Sequence, residues 1–423
     1  MRRTARIVVL AVLLAACGGQ QAATTTTAAP VDTTQATSPP TTGADAATTT
    51  EAMSTEPIRI GALTSLTGPF TPWGVHVRDG MLLAAEEINA EGGVDGRTIE
   101  IVVSDDQSNP EEGVTALERL IEQDGVVAVG GIISSGVGAQ TAQLAEQLSM
   151  PLFLVKSGSQ AILTQDSRFT FRTCLPAAPM VAGPIAQYAQ SEGLTRLGGI
   201  IADYAWGQAI RAAMENAFTA AGLEFQIEVA PVEETDFTTY LRALEAFDPE
   251  MIVATGHPPG SGPITVQSAD LGFAVPVTGA YTPRSLVVGG VAEAAIDRYA
   301  DFGCADVTSE DYQDLARRYL AFSDNTFLED DAIAGFGIVT MVADAVGAVG
   351  DDPTAIAEYL HGQTYDLPGY SFTMAWTEWG ELAEAQIAFD VIGPGPAPEG
   401  VNEAGEWYPE RLILSEPLEV FEP

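Results

Sequence analysis

The chain has 423 residues, with 58 acidic against 18 basic side chains and a formal net charge of −40. So strong an acidic balance repels phosphate backbones and anionic lipid surfaces, which argues against nucleic acid and against electrostatic membrane docking. Lys156 is the only lysine in the chain.

At the start, Arg2, Arg3 and Arg6 precede an apolar run from Ile7 to Ala15 that is too short to span a bilayer comfortably. Leu14-Ala15-Ala16-Cys17-Gly18 resembles a bacterial lipobox. The resemblance implies that residues 1–16 are a lipoprotein signal peptide and that Cys17 is the lipidation site; the alternative is an ordinary signal peptide with an incidental cysteine. Several acyl chains on one residue anchor stably where one chain is marginal. Loss of the three leader arginines takes the net charge to −43. Residues 17–56 are rich in Thr, Ala and Pro and show no apolar periodicity. Such a tract cannot bury enough surface to offset chain entropy, so it is expected to be a disordered linker, open to O-glycosylation. As a coil it reaches roughly 35 Å, at ~5–6 Å times the square root of its length.

Residues 57–423 are too many for one ordinary core and suit two lobes. Ile58–Leu63 reads as a strand, followed by a turn-rich loop from Thr64 to Pro72. Met81, Leu82, Ala85 and Ile88 recur at helical spacing between Gly74 and Ala90, and Gly92-Gly93 stop that helix. Ile99–Val103 is the next strand. Asn109-Pro110 opens a helix with Asn as cap and Pro in its first turn. A strand at 126–129, a helix at 137–148 and a strand at 151–155 complete this series. The rhythm resumes after Phe171: helix 180–190, strand 197–202, helix 207–221, strand 224–229, a helix capped by Asp236, and strand 251–254. Apolar strands alternating with amphipathic helices make parallel sheets covered on both faces, so the fold class is α/β with two Rossmann-like lobes. No stretch after the leader reads as long and apolar enough for a membrane helix.

Enzymatic signatures are absent. No GxGxxG follows the first strand, and there is no phosphate-binding Walker loop. No serine has glycines two before and two after it, which removes the nucleophile elbow of a hydrolase. The three histidines, His76, His257 and His361, are not at metal-ligand spacing. Asp105-Asp106 reads as a pair of solvated surface carboxylates in so acidic a chain. Three polar loops follow successive strands of the first series: 64–74, 133–136 and 156–160. Hydroxyls and free N–H groups at helix starts hold anions without a full counter-charge. With Cys17 lipidated, Cys174 and Cys304 form an even pair in an oxidising compartment; a disulfide is expected, with two buried free thiols as the alternative.

The segments IRIGALTSLTGPFTPWG, AAEEINAEGGVDGRTIEIVVSDDQSNPEEG, FRT and DDPTAIAEYL are similar to those of branched-chain amino acid-binding proteins. These are type I periplasmic binding proteins serving ATP-driven (ABC) importers. The resemblance implies a three-strand hinge, with residues 57–174 and 304–372 in lobe 1 and residues 175–303 and 373–423 in lobe 2. It implies a monomer, anchored outside the cytoplasm by lipid alone, that closes on a small carboxylate-bearing ligand and offers the closed form to a permease. It implies no enzymatic activity, no cofactor and no metal. A ligand-sensing receptor of the same fold is the alternative.

Carried over position by position, the carboxylate site falls on Ser134 and Ser135 and on Ser157 and Ser159. Trp73 matches the aromatic of the first loop, Trp206 that of the second lobe, and His257 stands at a tyrosine position. The expected ammonium-binding acids are missing: Tyr281 occupies one position and Pro176 or Ala177 the other. Asp203 is the candidate substitute acid; otherwise the ligand is an organic acid, amide or aromatic acid. The resemblance also sets Cys174 at the first crossing between lobes and Cys304 near the second.

Overall fold

The structure is a computed structural model that describes residues 56–255, 260–280, 282–285, 292–403 and 406–423. Residues 1–16, expected to be a signal peptide, Cys17, the rest of the expected linker to residue 55, His257 and Tyr281 lie outside the described residues.

The first sheet is built from β1 (Ile58–Thr64), β2 (Ile99–Asp105), β3 (Ala128–Ile132), β4 (Leu152–Leu154) and β5 (Thr170–Arg172), all parallel, in the order β2-β1-β3-β4-β5. Between them run α1 (Thr71–Ala90), α2 (Pro110–Arg119) and α3 (Ser135–Leu148). Asn109 caps α2 by accepting from the Glu111 and Glu112 amides, and Pro110 fills the first turn where no N–H is needed.

The second sheet repeats the plan. Its parallel part is β6 (Arg196–Ala202), β7 (Glu224–Ala230), β8 (Met251–Val253), β9 (Val277–Ala280) and β10 (Tyr299–Gly303), in the order β7-β6-β8-β9-β10. Helices α4 (Ala178–Ser191), α5 (Ala205–Ala221), α6 (Thr238–Glu245) and α7 (Ser261–Asp270) belong to this series. In each lobe the strand order reverses between the first and third strands. In open parallel sheets a ligand binds outside the carboxyl ends of the strands at that point.

After β10 the chain returns to the first lobe as α8 (Glu310–Phe322), α9 (Asp330–Val349) and α10 (Pro353–His361). Helix α9 overturns the expectation about membrane helices, because its 20 residues are long and apolar enough to cross one. In the structure it is a core helix against α1. Gly80 and Gly335 permit the approach: a β-carbon on Gly80 would lie 2.0 Å from the Ala332 carbonyl oxygen, and one on Gly335 2.3 Å from that of Val77.

The chain then enters the second sheet as β11 (Ala388–Gly393) and β12 (Tyr408–Leu414), both antiparallel additions beyond β10. Lobe 2 is expected to resume at residue 373. Residues 374–382 still line the edge of the first sheet beside β5. The Trp376 indole donates to the Arg172 carbonyl at 2.6 Å and meets the Phe171 ring edge-on at 5.1 Å, and the Arg172 amide donates to the Gly380 carbonyl. The first two crossing segments are joined by a disulfide between Cys174 and Cys304, whose Cα atoms are 5.4 Å apart.

Candidate ligand-binding site

The serine loops meet at the carboxyl edge of the first sheet. Ser134 is the N-cap of α3, its Oγ accepting from the Gly136 amide at 3.2 Å. The Ser135 hydroxyl oxygen accepts from the Ser159 amide at 3.2 Å, which ties the loop after β3 to the loop after β4. Ser157 is fully buried, and its hydroxyl lies 3.0 Å from the Ser134 carbonyl and 3.2 Å from that of Ile133. The Ser157 hydroxyl therefore donates within the loops, whereas the Ser134 and Ser135 hydroxyls, each accepting from an amide, keep a hydrogen to give, and half-buried Ser159 lies beside the first turn of α3.

Arg172 fixes this arrangement from behind. Its guanidinium donates to the carbonyls of Ser157 and of Ser159 (2.8 Å for Ser159) and, through Nε, to Glu381 Oε2 at 2.8 Å. Burial pushes the Glu381 carboxyl up from its usual range, and Arg172 opposes that shift. Nothing in the FRT segment as a family signature marks its arginine as the residue that holds the loop after β4.

The first loop is held in a similar way. Asp105 accepts from the Leu66 and Thr67 amides and the Thr67 hydroxyl, and Asp106 accepts from the Ser65 hydroxyl and the Ser108 amide, both at 2.7 Å. Asp106 is fully buried. The reading of this pair as solvated surface carboxylates is therefore wrong: after β2, two acids are the acceptors that a turn rich in N–H and O–H groups needs.

Aromatic rings from both lobes pack together. Trp73 is buried in α1 with its ring 6.2 Å from Phe70. Phe70 packs in turn on Tyr204, at the start of α5 in the second lobe, with centroids 5.2 Å apart. Trp206 is buried against Gly158, so both lobes contribute to one enclosure. Phe70 falls within the polar loop 64–74 and Tyr204 follows Asp203, but neither is among the residues the sequence offers as ligand contacts. Asp203 is exposed, and its Oδ1 accepts from Gln208 Nε2 at 2.6 Å.

Beside Ser157 lies a buried ionic cluster that the sequence did not reveal. Lys156 Nζ is 3.8 Å from Asp331 Oδ1 and 4.0 Å from Asp330 Oδ2. Arg284 donates to Asp330 Oδ1 at 2.9 Å and to Asp390 Oδ2 at 3.1 Å. Glu329 accepts from the Arg284 and Ser285 amides. Arg284 thus links the loop after β9 to the start of α9 in the first lobe. Burial drives the Asp331 and Asp301 carboxyls well above their usual range. For Asp330 burial acts upward too, but Arg284, Lys156 and the Cys304 amide outweigh it and hold the carboxyl low.

Comparison with known proteins agrees with this geometry. A family model described as "periplasmic binding protein" matches residues 57–388. A Leu/Ile/Val-binding protein of Rhizobium johnstonii is 23% identical over 347 residues, covering 78% of this chain and 94% of the relative. A leucine-binding protein of Thermotoga maritima superposes with a TM-score of 0.73 at 20% identity, covering 85% of this chain and 99% of its own. A solute-binding protein of an ABC transporter from R. palustris, in complex with benzoate, superposes with a TM-score of 0.74 at 18% identity, covering 86% and 98%. The match of the family model over most of the length leads to one conclusion: the chain belongs to the periplasmic binding protein family.

Proposed function

We propose that this protein captures a small carboxylate-bearing ligand, an amino acid or a related organic or aromatic acid, between its two lobes and delivers it to an ABC importer. The observation that carries the reading is the pairing of Ser134 and Ser159. Their loops are locked together by the Ser135–Ser159 bond and clamped by Arg172, and the loop after β4 meets Trp206 of the opposite lobe at Gly158. Hydroxyls and amides at a helix start suit a carboxylate, and rings suit an apolar or aromatic body. The relatives' ligands, branched-chain amino acids in one case and benzoate in another, share that division.

Closure is the working step: the ligand selects the form in which both lobes touch it, and the closed surface is what a permease reads. The protein does this as a monomer, without catalysis, cofactor or metal, tethered outside the cytoplasm through lipid on Cys17. Calorimetric titration with a panel of amino acids and aromatic acids tests the reading. The double variant Ser134→Ala, Ser159→Ala should bind any hit at least about tenfold more weakly, about 1.4 kcal/mol. Unchanged affinity would place the ligand elsewhere.

A further inference from the structure

His361 ends α10 between two backbone carbonyls. Its Nδ1 lies 3.1 Å from the Thr377 carbonyl oxygen, and its Nε2 lies 2.9 Å from that of Arg168. A carbonyl oxygen only accepts, so each ring nitrogen has to donate. A neutral imidazole has a single N–H and would turn the lone pair of its other nitrogen on an oxygen at hydrogen-bond distance. The imidazolium alone satisfies both contacts. The place suits a cation, because the carboxyl end of a helix is the negative end of its dipole.

The charged groups on the elements around the ring are engaged elsewhere or exposed. On the loop before β5, the Arg168 guanidinium donates to the Gln165, Ser167 and Glu378 carbonyls. Glu146 of α3 accepts from the Arg168 and Phe169 amides, and Glu381 accepts from Arg172. Asp344 of α9 accepts from the Tyr359 and Tyr365 hydroxyls. Asp166, Glu378 and, on α10 itself, Glu358 are exposed.

The contact with Thr377 leads to the binding loop. The Thr377 carbonyl also accepts from the Gly380 amide, its amide donates to the Glu381 carbonyl, and its hydroxyl oxygen accepts from the Glu381 amide. Gly380 in turn accepts from the Arg172 amide. Glu381 holds the Arg172 guanidinium, which reaches the Ser157 and Ser159 carbonyls. The Phe171 ring packs on both His361, at 4.7 Å, and Trp376, at 5.1 Å.

We propose that His361, protonated on both ring nitrogens, is a positioning residue: it staples the 377–381 turn to the loop before β5 and so holds Arg172 against the loop of Ser157 and Ser159. Its effect on ligand rests on the reading that Ser134 and Ser159 hold the carboxylate. Loss of the second proton sets a lone pair against a carbonyl, so the staple loosens and affinity falls as pH rises.

Nitrogen-resolved magnetic resonance of protein labelled in histidine and tryptophan tests the staple without a ligand. Comparison with His361→Gln identifies the residue among the three histidines. At about pH 7 both of its ring nitrogens should carry protons. On raising the pH, the Trp376 indole signal should move with the same midpoint as the ring. His361→Arg, which keeps its donors at every pH, should hold that signal at its low-pH position. The wild-type spectra decide the matter even where a variant folds poorly. A bare ring nitrogen at about pH 7 would overturn the proposal, as would a Trp376 signal indifferent to pH.

Calorimetric titration with L-leucine and with benzoate then reads the effect on the site. The affinity of whichever probe binds should fall about fivefold or more between about pH 6 and about pH 8.5 in the wild type, and should stay level in His361→Arg. Level affinity in the wild type, with the ring and Trp376 signals titrating together, would overturn the positioning role. Binding of neither probe would count against the carboxylate reading, while the spectra would still decide the staple.

Discussion

The Trp206 indole of the second lobe rests on Gly158 of the first: a β-carbon at residue 158 would lie 2.3 Å from Trp206 Cζ3 and 2.7 Å from Leu175 Cδ2. Real side chains do not tolerate such separations, so residue 158 is glycine because another lobe arrives there.

Gly158→Ala is accordingly expected to act on closure. Ligand affinity should drop about tenfold or more, and the double variant Gly158→Ala, Trp206→Leu should recover part of the loss. Titration calorimetry measures the affinity, and small-angle scattering measures the fraction closed. Wild-type affinity in the single variant would show that the two lobes do not meet at this residue in the ligand-bound form.

Arg172 is wholly buried and paired with Glu381, and it also holds two carbonyls of the binding loop. Removing one partner of a buried ion pair strands the other, typically at about 3–5 kcal/mol. Arg172→Ala should therefore lower the unfolding free energy measured by urea titration by an amount of that order. The double variant Arg172→Met, Glu381→Leu should regain much of the stability but not the ligand affinity, because the Ser157 and Ser159 carbonyls lose their donor. Recovery of both would mean that the clamp has no part in shaping the site.

The Cys174–Cys304 disulfide closes a segment with a sequence separation of 130. Constraining so long a loop in the unfolded chain stabilises the native state by about 4–5 kcal/mol in the chain-entropy treatment. Unfolded but unreduced protein should show no reactive thiol at either position, and reduction should lower the melting temperature by several degrees. Because the bond joins two crossing segments, it should leave ligand affinity nearly unchanged. A large loss of affinity on reduction would contradict that separation of roles.

Much of this architecture was legible in the chain. The strand and helix series follows from apolar runs of four to seven residues between glycine- and proline-marked turns, and each series fixes one sheet. The loops carrying Ser134 and Ser159 could be found because hydroxyl-rich turns recur after successive strands. The ionic cluster could not. Lys156, Arg284, Asp301, Asp331 and Asp390 come from distant parts of the chain, and in a sequence with 58 acidic residues nothing local marks the few that are buried. Asp105 and Asp106 were misjudged for the same reason: charge density suggested solvent, whereas the need of the 65–70 turn for acceptors decided their place. The length of α9 was missed because Asp330 and Asp331 at its start and Asp344 near its end broke up an otherwise apolar run.

His76 gives the protein a measurable acid sensitivity. Its Nδ1 lies 2.9 Å from the Tyr319 hydroxyl. Asn325 Nδ2 donates to that hydroxyl and to Asp79, which leaves the Tyr319 hydrogen free to be given to an unprotonated His76 Nδ1. Burial lowers the His76 pKa from 6.5 to about 4; Asp79 opposes the shift and Arg78 adds to it. Below pH 6.5 the unfolded chain takes up a proton that the folded one refuses until about pH 4. The contribution to stability is therefore complete above pH 7 and falls as pH drops through that window, by at most about 3 kcal/mol. The buried carboxyls raised by burial act in the opposite sense, but they act equally in a His76→Gln variant and cancel from the comparison. Urea unfolding of the wild type and His76→Gln between pH 4 and 8 should give curves that are parallel above pH 7 and converge toward pH 4. Curves parallel throughout would show that His76 titrates alike in the folded and unfolded chains.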